Sequence, residues 1–312
     1  MKVLFFGSDR FALSSLERLL ESDHEVVGVV GKPDRAAGRG LTPAPTPVVE
    51  MARERSLRLL QPEHLIEAPL EGLLRDVTWD IGVVVAYGGL IPQWLLQKPA
   101  NGFVNVHPSL LPRYRGAAPI ERAIMNGASI TGVTTVKMTD RLDSGDILMH
   151  IEEPVYEDDT AGTLRERLSR LAARLLVRTL DEIGAGRHES VPQEEGKATS
   201  APSIRSGEGN IDWSQPAEKI GRLVRALDPD PGAYTYFRGK RVKVLTARVT
   251  DVPQEDEPGT LMLMGKEGFL VNTGTTCIQP LLLQTEGKSR MSAAEFSRGQ
   301  RIQISERFSP ER

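Results

Sequence analysis

The run Asp80-Ile81-Gly82-Val83-Val84-Val85-Ala86 has no polar side chain between its two ends. A strand with one wet face alternates apolar and polar residues. A strand that is apolar throughout must be covered on both faces, which is the situation of a parallel sheet between two layers of helices. The neighbouring pattern agrees. Lys2–Phe6, Glu25–Gly31, Leu57–Leu60 and Phe103–His107 read as further strands. Between them, Phe11–Glu21 places Leu13, Leu16, Leu19 and Leu20 at helical spacing, and Val48–Arg55 and Gly116–Asn126 also read as helices. Residues 32–47, dense in proline and glycine, form a loop. Thr131–Met138 is a β-branched strand, Ile147–Val155 pairs with it antiparallel, and Thr160–Gly186 is a long amphipathic helix capped at Thr160. The expected fold class is α/β, a doubly wound, mostly parallel sheet with helices on both faces.

Around residues 190–210 the composition shifts to Ser, Gly, Pro, Glu and Lys, which marks a linker. A helix over Pro216–Leu227 follows. Short strands are then expected at Tyr234–Arg238, Arg241–Val249, Gly259–Met264, Gly268–Asn272, Thr276–Leu283 and Gln300–Ile304. Strands at that spacing suggest a small barrel. The expected division is 1–189, a linker at 190–207, and 208–312.

The 312 residues are 39% hydrophobic and 26% charged with a net charge of −3, values of a globular chain rather than a disordered one. Without 18 consecutive uncharged apolar residues, no membrane span is expected. The first apolar stretch is too short for a secretory signal, and Cys277 stands alone, so a reducing cytoplasm is the expected compartment. Cys277 itself reads as a buried core thiol. The net charge gives no support for a nucleic-acid partner, which would need a local basic patch. GxGxxG, GxxxxGK[ST], HExxH, CxxC and GxSxG are all missing, which argues against nicotinamide, P-loop, zinc-hydrolase and serine-esterase chemistry.

Chemistry is expected at the end of the Phe103–His107 strand. Asn105 and His107 are two apart and share a face. Pro108 cannot continue a central ladder, so the strand ends where these groups emerge. In open α/β sheets that end is where ligands bind. Asn105 and His107 can both donate to one oxygen, as an oxyanion hole does, or His107 can act as general acid or base. Asp143, in the turn Leu142-Asp143-Ser144-Gly145-Asp146, can point inward and favour the charged imidazole. Taken singly, these residues have plainer readings. An Asn or Asp beside a turn is commonly a cap, and a lone histidine a satisfied core residue, the reading given to His24, His64, His150 and His188.

These residues resemble the formyltransferases that use 10-formyltetrahydrofolate. The resemblance rests on Asn105-x-His107, Ser109-Leu110-Leu111-Pro112, Arg115-Gly116 and Leu142-Asp143-x-Gly145-Asp146. It narrows to the methionyl-tRNA formyltransferase family through Lys32-Pro33-Asp34-Arg35-Ala36-Ala37-Gly38-Arg39-Gly40, Val85-Ala86-Tyr87-Gly88, Ala117-Ala118-Pro119-Ile120, Thr131-Gly132-Val133-Thr134, Ile211-Asp212-Trp213 and Pro231-Gly232-Ala233-Tyr234. The resemblance implies a Rossmann-like catalytic domain and a C-terminal OB-like barrel that helps hold tRNA. It also implies formyl transfer to methionyl initiator tRNA, with no metal. A monomer is expected. Carried over residue by residue, the catalytic triad is Asn105, His107 and Asp143. The folate contacts are Ser109, Leu110, Leu111 and Pro112, with Ala86, Tyr87, Gly88 and Leu90. The loop at 34–46 is the tRNA-inserting one, with Arg35 and with Arg39 placed to reach the acceptor end.

Two departures remove positive charge. Leu41-Thr42-Pro43-Ala44-Pro45 stands where lysines are frequent, and Ser203 where a lysine is common. Lys219, Arg222 and Arg225 on one helix face, and Arg241 in the turn Arg238–Lys243, are the candidate replacements. A sugar-nucleotide N-formyltransferase and a non-catalytic tRNA- or folate-binding protein remain the alternative readings.

Overall fold

The computed structural model describes residues 1–37, 42–66, 70, 72, 74–303, 305–309 and 311. They form two compact units. One comprises Met1–Pro119, Ile130–Pro154 and Arg165–Pro202, and the other Ile120–Ser129, Val155–Leu164 and Ser203–Arg312.

In the first unit the described strands are β1 (Lys2–Gly7), β2 (Glu25–Val30), β3 (Arg35–Ala37), β4 (Thr42–Ala44), β5 (Leu59–Leu60), β6 (Ile81–Val85), β7 (Phe103–His107), β8 (Ile130–Lys137) and β9 (Ile147–Pro154). Seven of them make one sheet in the order β5-β2-β1-β6-β7-β8-β9. The pairs from β5 to β7 are parallel, and β8 is antiparallel to both β7 and β9. Every residue of β6 is buried, as its unbroken apolar run requires. Leu4 and Phe6 of β1 join a core with Val30, Val84, Leu95 and Phe103. Val3 and Phe5, which alternate with them, are equally buried on the opposite face. The Ala161–Gly184 helix begins at a Thr160 cap, where Oγ1 accepts from Thr163 N at 3.3 Å. It is tied to β8 by a Thr135–Thr179 hydroxyl pair at 2.9 Å.

One local expectation fails here. The stretch 32–47 is not all loop, since Arg35–Ala37 and Thr42–Ala44 pair as an antiparallel ribbon. In a two-stranded ribbon each strand has an unpaired side, so Pro43 removes no needed donor. The base of the ribbon is anchored by Arg53, whose guanidinium grips Asp34, and by Gln61 Nε2, which donates to Lys32 O and Asp34 Oδ1.

In the second unit an Ala217–Ala226 helix precedes β10 (Ala233–Phe237), β11 (Lys240–Pro253), β12 (Leu261–Leu263), β13 (Phe269–Asn272), β14 (Thr276–Thr285) and β15 (Met291–Ser292). Their order is β10-β11-β14-β13-β12, with β15 on β14. The two outer strands are joined through the last residues. Leu261 N donates to Glu306 O and Phe308 N to Gly259 O, while Tyr236 and Ser309 exchange a pair of bonds at 2.8 and 2.9 Å. The sheet therefore closes into a barrel, filled by Trp213, Phe237, Phe269, Phe296 and Phe308. Of the strand expected at Gln300–Ile304, the described residues 300–303 form none, and Ile304 lies outside the described residues. An Ala293–Gln300 helix stands before it, started by a reciprocal capping box between Ser292 and Glu295.

Candidate active site

The site is built on β7 between two different neighbours. On one side β6 pairs parallel through Val84 and Asn105; on the other β8 pairs antiparallel through Thr134 and His107. Past His107 the chain turns, and Thr134 fixes that turn from beneath: its hydroxyl donates to Ser109 O at 2.6 Å and accepts from Leu111 N at 3.2 Å. The Ser109 hydroxyl is fully buried and donates to Arg113 O at 2.6 Å, so it serves the turn itself.

Asn105, His107 and Asp143 meet, as the sequence predicts. Asn105 Nδ2 donates to Asp143 Oδ1 at 3.1 Å. Asp143 Oδ2 accepts from Gly116 N at 2.9 Å and lies 3.6 Å from His107 Nδ1. Both side chains of the His107–Asp143 pair are over nine-tenths buried. The other ring nitrogen, His107 Nε2, is 2.9 Å from Tyr114 O. A carbonyl can only accept, so Nε2 carries the hydrogen. Nδ1 is therefore the ring atom left for chemistry, a lone pair when the ring is neutral and a donor when it is charged.

The turn carrying Asp143 is held in an uncommon shape. Asp143 has φ of +48°, the left-handed region that a side chain disfavours. Two residues on, a Cβ at Gly145 would sit 1.7 Å from Lys137 O, so no other residue fits. The tight turn is secured from outside. Gln193 Nε2 donates to Asp143 O at 2.8 Å and to Gly145 O at 2.7 Å. Gln193 Oε1 accepts from Arg115 Nε and Nη2, and the same guanidinium grips Glu195. That bond to Arg115 holds the Glu195 carboxyl below its ordinary range. Farther along, Thr199 and Ala201 bond to the backbone of 112–118. Gln193 and Tyr114 were not expected as site residues, because each acts through or on a backbone group, while Arg115 and Gly116 stood in the signature without a role.

The 86–90 loop follows β6. Ala86 is exposed with φ of +45°, and Gly88 has φ of +67°. Tyr87 is buried edge-on against Phe6, and burial pushes its phenol up. Lys32 Nζ donates to Gly88 O at 2.6 Å. Leu90 is 82% exposed.

The formyl transferase model matches residues 1–180, and the model of the formyl transferase C-terminal domain matches 203–301. A methionyl-tRNA formyltransferase of Agathobacter rectalis is 40% identical over 299 residues, 96% of each chain. Another, of Symbiobacterium thermophilum, is 41% identical over 312 residues, 99% of this chain and 96% of that one. The chain belongs to the methionyl-tRNA formyltransferase family. An N-formyltransferase from Helicobacter canadensis, solved with folinic acid and dTDP-3-aminofucose, is similar in fold with a TM-score of 0.67 at 17% identity, over 91% of this chain and 99% of that one.

In this member of the methionyl-tRNA formyltransferase family the expected tRNA-facing cations have unequal surroundings. Arg35 is exposed, and Arg39 lies outside the described residues. Lys219 is exposed and donates to Gln215 Oε1. Arg222 is half-buried, its Nε enclosed without an acceptor. Arg225 is a correction. It is half-buried and donates to Asp159 O at 2.8 Å, so it does not share a free face with Lys219. Arg241 lies 3.7 Å above the Tyr234 ring. With Ser206, Gly207, Asp230, Pro231 and Lys243 the pair lines a cleft of about 500 Å³. Cys277 is buried, as read from the sequence. Of the histidines read as core residues only His24 is enclosed, half-buried as a residue with its side chain 6% exposed, while His64, His150 and His188 lie at the surface. Among the described residues no helix is long and apolar enough to cross a membrane.

Proposed function

We propose that this chain, as a monomer in the cytoplasm, transfers the formyl group of 10-formyltetrahydrofolate to the α-amine of methionyl initiator tRNA for translation initiation. The observation that carries the reading is the hydrogen-bonded cluster of Asn105, His107 and Asp143 at the end of β7, in a chain of this family. A 10-formyl folate supplies a carbonyl carbon on a nitrogen able to leave. Asn105 Nδ2 has a second hydrogen beyond the one given to Asp143, and donates it to the formyl oxygen as negative charge develops. Charged His107 donates from Nδ1 to the same oxygen, with the Asp143 carboxylate 3.6 Å from that nitrogen. As the carbon–nitrogen bond to folate breaks, Nδ1 gives its proton to the departing folate nitrogen, and the proton leaving the methionyl amine then recharges Nδ1, directly or through a water. A neutral primary amine is already a good nucleophile, so no covalent enzyme intermediate is required.

Ala86, Tyr87, Gly88 and Leu90, with Ser109, Leu110, Leu111 and Pro112, are the proposed folate contacts. Leu90 and Leu142 are the most exposed large hydrophobics among the described residues, at 82% and 64%, on the loops after β6 and β8. Apolar surface left open on loops beside a strand end suits a flat ring system. Tyr87 and Ser109 spend their side chains within the protein, so their share is backbone. In the second unit Arg241, Lys219 and Arg222, and in the first Arg35 and Arg39, are the proposed tRNA contacts. Residues 1–189 are the proposed transferring domain, 190–207 the linker and 208–312 the tRNA-holding domain.

The test is formyl transfer from 10-formyltetrahydrofolate to methionyl initiator tRNA, with elongator methionyl-tRNA and an amino-sugar nucleotide as parallel acceptors. Turnover on the initiator is expected. Turnover on the amino sugar alone would keep the cluster's role and overturn the acceptor. Asn105→Ala should lower kcat by about 100- to 1,000-fold with folate affinity nearly kept.

A further inference from the structure

We propose that Gln193 is a positioning residue for Asp143, clamping the 143–145 turn so that the carboxylate faces His107. The inference rests on the reading of Asp143 as the partner of the catalytic imidazole. Three observations carry it. First, the Gln193 amide is fully used: both Nε2 hydrogens go to the turn, at Asp143 O and Gly145 O, and Oε1 receives two from Arg115. Second, the turn it holds includes a left-handed aspartate at φ +48°, a backbone state that persists only when its surroundings enforce it. Third, the segment that follows Gln193 holds the opposite wall. Thr199 Oγ1 accepts from Tyr114 N at 2.8 Å, Thr199 O accepts from Arg115 N at 2.8 Å, and Ala201 O accepts from Ala118 N at 3.0 Å. That wall supplies Tyr114 O to His107 and Gly116 N to Asp143. One strap, 193–201, thus sets both partners of the imidazole, although its composition reads as a linker.

Gln193→Leu keeps most of the volume and removes every bond to the turn. A displacement of about 1 Å at a reacting group is enough to cost about 100-fold, so kcat should fall by about 10- to 100-fold with KM for both substrates changed by less than about 3-fold. The loss should lie in kcat per folded molecule, because the clamp acts on the geometry of the reacting groups and not on the binding surfaces. A merely structural role would lower the folded fraction and leave kcat per folded molecule at the wild-type value. Arg115→Ala, which frees Gln193 without touching the turn, should give a smaller loss in the same direction. The double variant should lose little more than Gln193→Leu alone, since both act on the same bonds. Asp143→Asn is assayed beside them. If it turns over slowly while Gln193→Leu has a wild-type kcat per folded molecule, the clamp is refuted. If Asp143→Asn itself turns over normally, the assignment beneath the clamp is what fails.

Discussion

His107 commits one ring nitrogen to a backbone carbonyl, and that bond decides which atom reaches substrate. The face on which it sits follows from strand periodicity, so Asn105 and His107 were legible as a pair in the sequence. Asp143 lies 38 residues from Asn105 and was reached through the family resemblance and its glycine-flanked turn. Tyr114 and Gln193 were not legible, because what they offer or hold is a carbonyl, and a carbonyl has no letter in a sequence. Burial and partners also set a residue-scale test away from the site. Arg122 grips Glu208, and Arg205 N donates to it, which holds its carboxyl down to about 2 from an ordinary 4.5. The folded state thus prefers the ionised form. Glu208 adds stability in full above the ordinary carboxylate range, and the contribution is lost as pH falls toward 2. Glu208→Gln should therefore lower the unfolding free energy at neutral pH by about 1 kcal/mol after screening, with the difference from wild type vanishing in acid, as denaturant titrations across pH would show.

Elements with a long pattern were legible, and short ones were not. The unbroken run in β6 and the spacing of Leu13, Leu16, Leu19 and Leu20 gave a strand and a helix close to those observed, the helix preceded by a single 3-10 turn at Arg10–Ala12. The β3–β4 ribbon has three residues a side, too few for alternation to stand out against Pro43 and Pro45. The Ala293–Gln300 helix is eight residues long and carries Gly299, so its periodicity is weak. Its start was nonetheless written in Ser292-Ala293-Ala294-Glu295, which is a capping box. Ser292→Ala should cost about 1 kcal/mol and lower the melting temperature by a few degrees, measured by circular dichroism, because it removes the oxygen that accepts from Glu295 N. Formyl transfer below the melting transition should be unaffected.

At the scale of the whole molecule a net charge of −3 averages away the features that matter for an RNA substrate. Arg241 and Lys243 sit together on one cleft wall despite that sum. Arg241→Ala should weaken tRNA binding and reduce by about one the slope of log affinity against log salt, read from titrations at several ionic strengths. Turnover at saturating tRNA should change little. The final residues have a consequence of a different kind. Residues 306–309 act as the tooth row of a zip: they meet Gly259 and Leu261 on one outer strand and Tyr236 on the other. Deleting residues 306–312 would unmask two rows of peptide groups and empty the place of Phe308, which stacks on Trp213 with centroids 5.5 Å apart. An open sheet margin recruits other chains. The light scattered per unit mass should rise with concentration for the shortened protein and stay constant for the full chain, so the last few residues guard this molecule against its own copies.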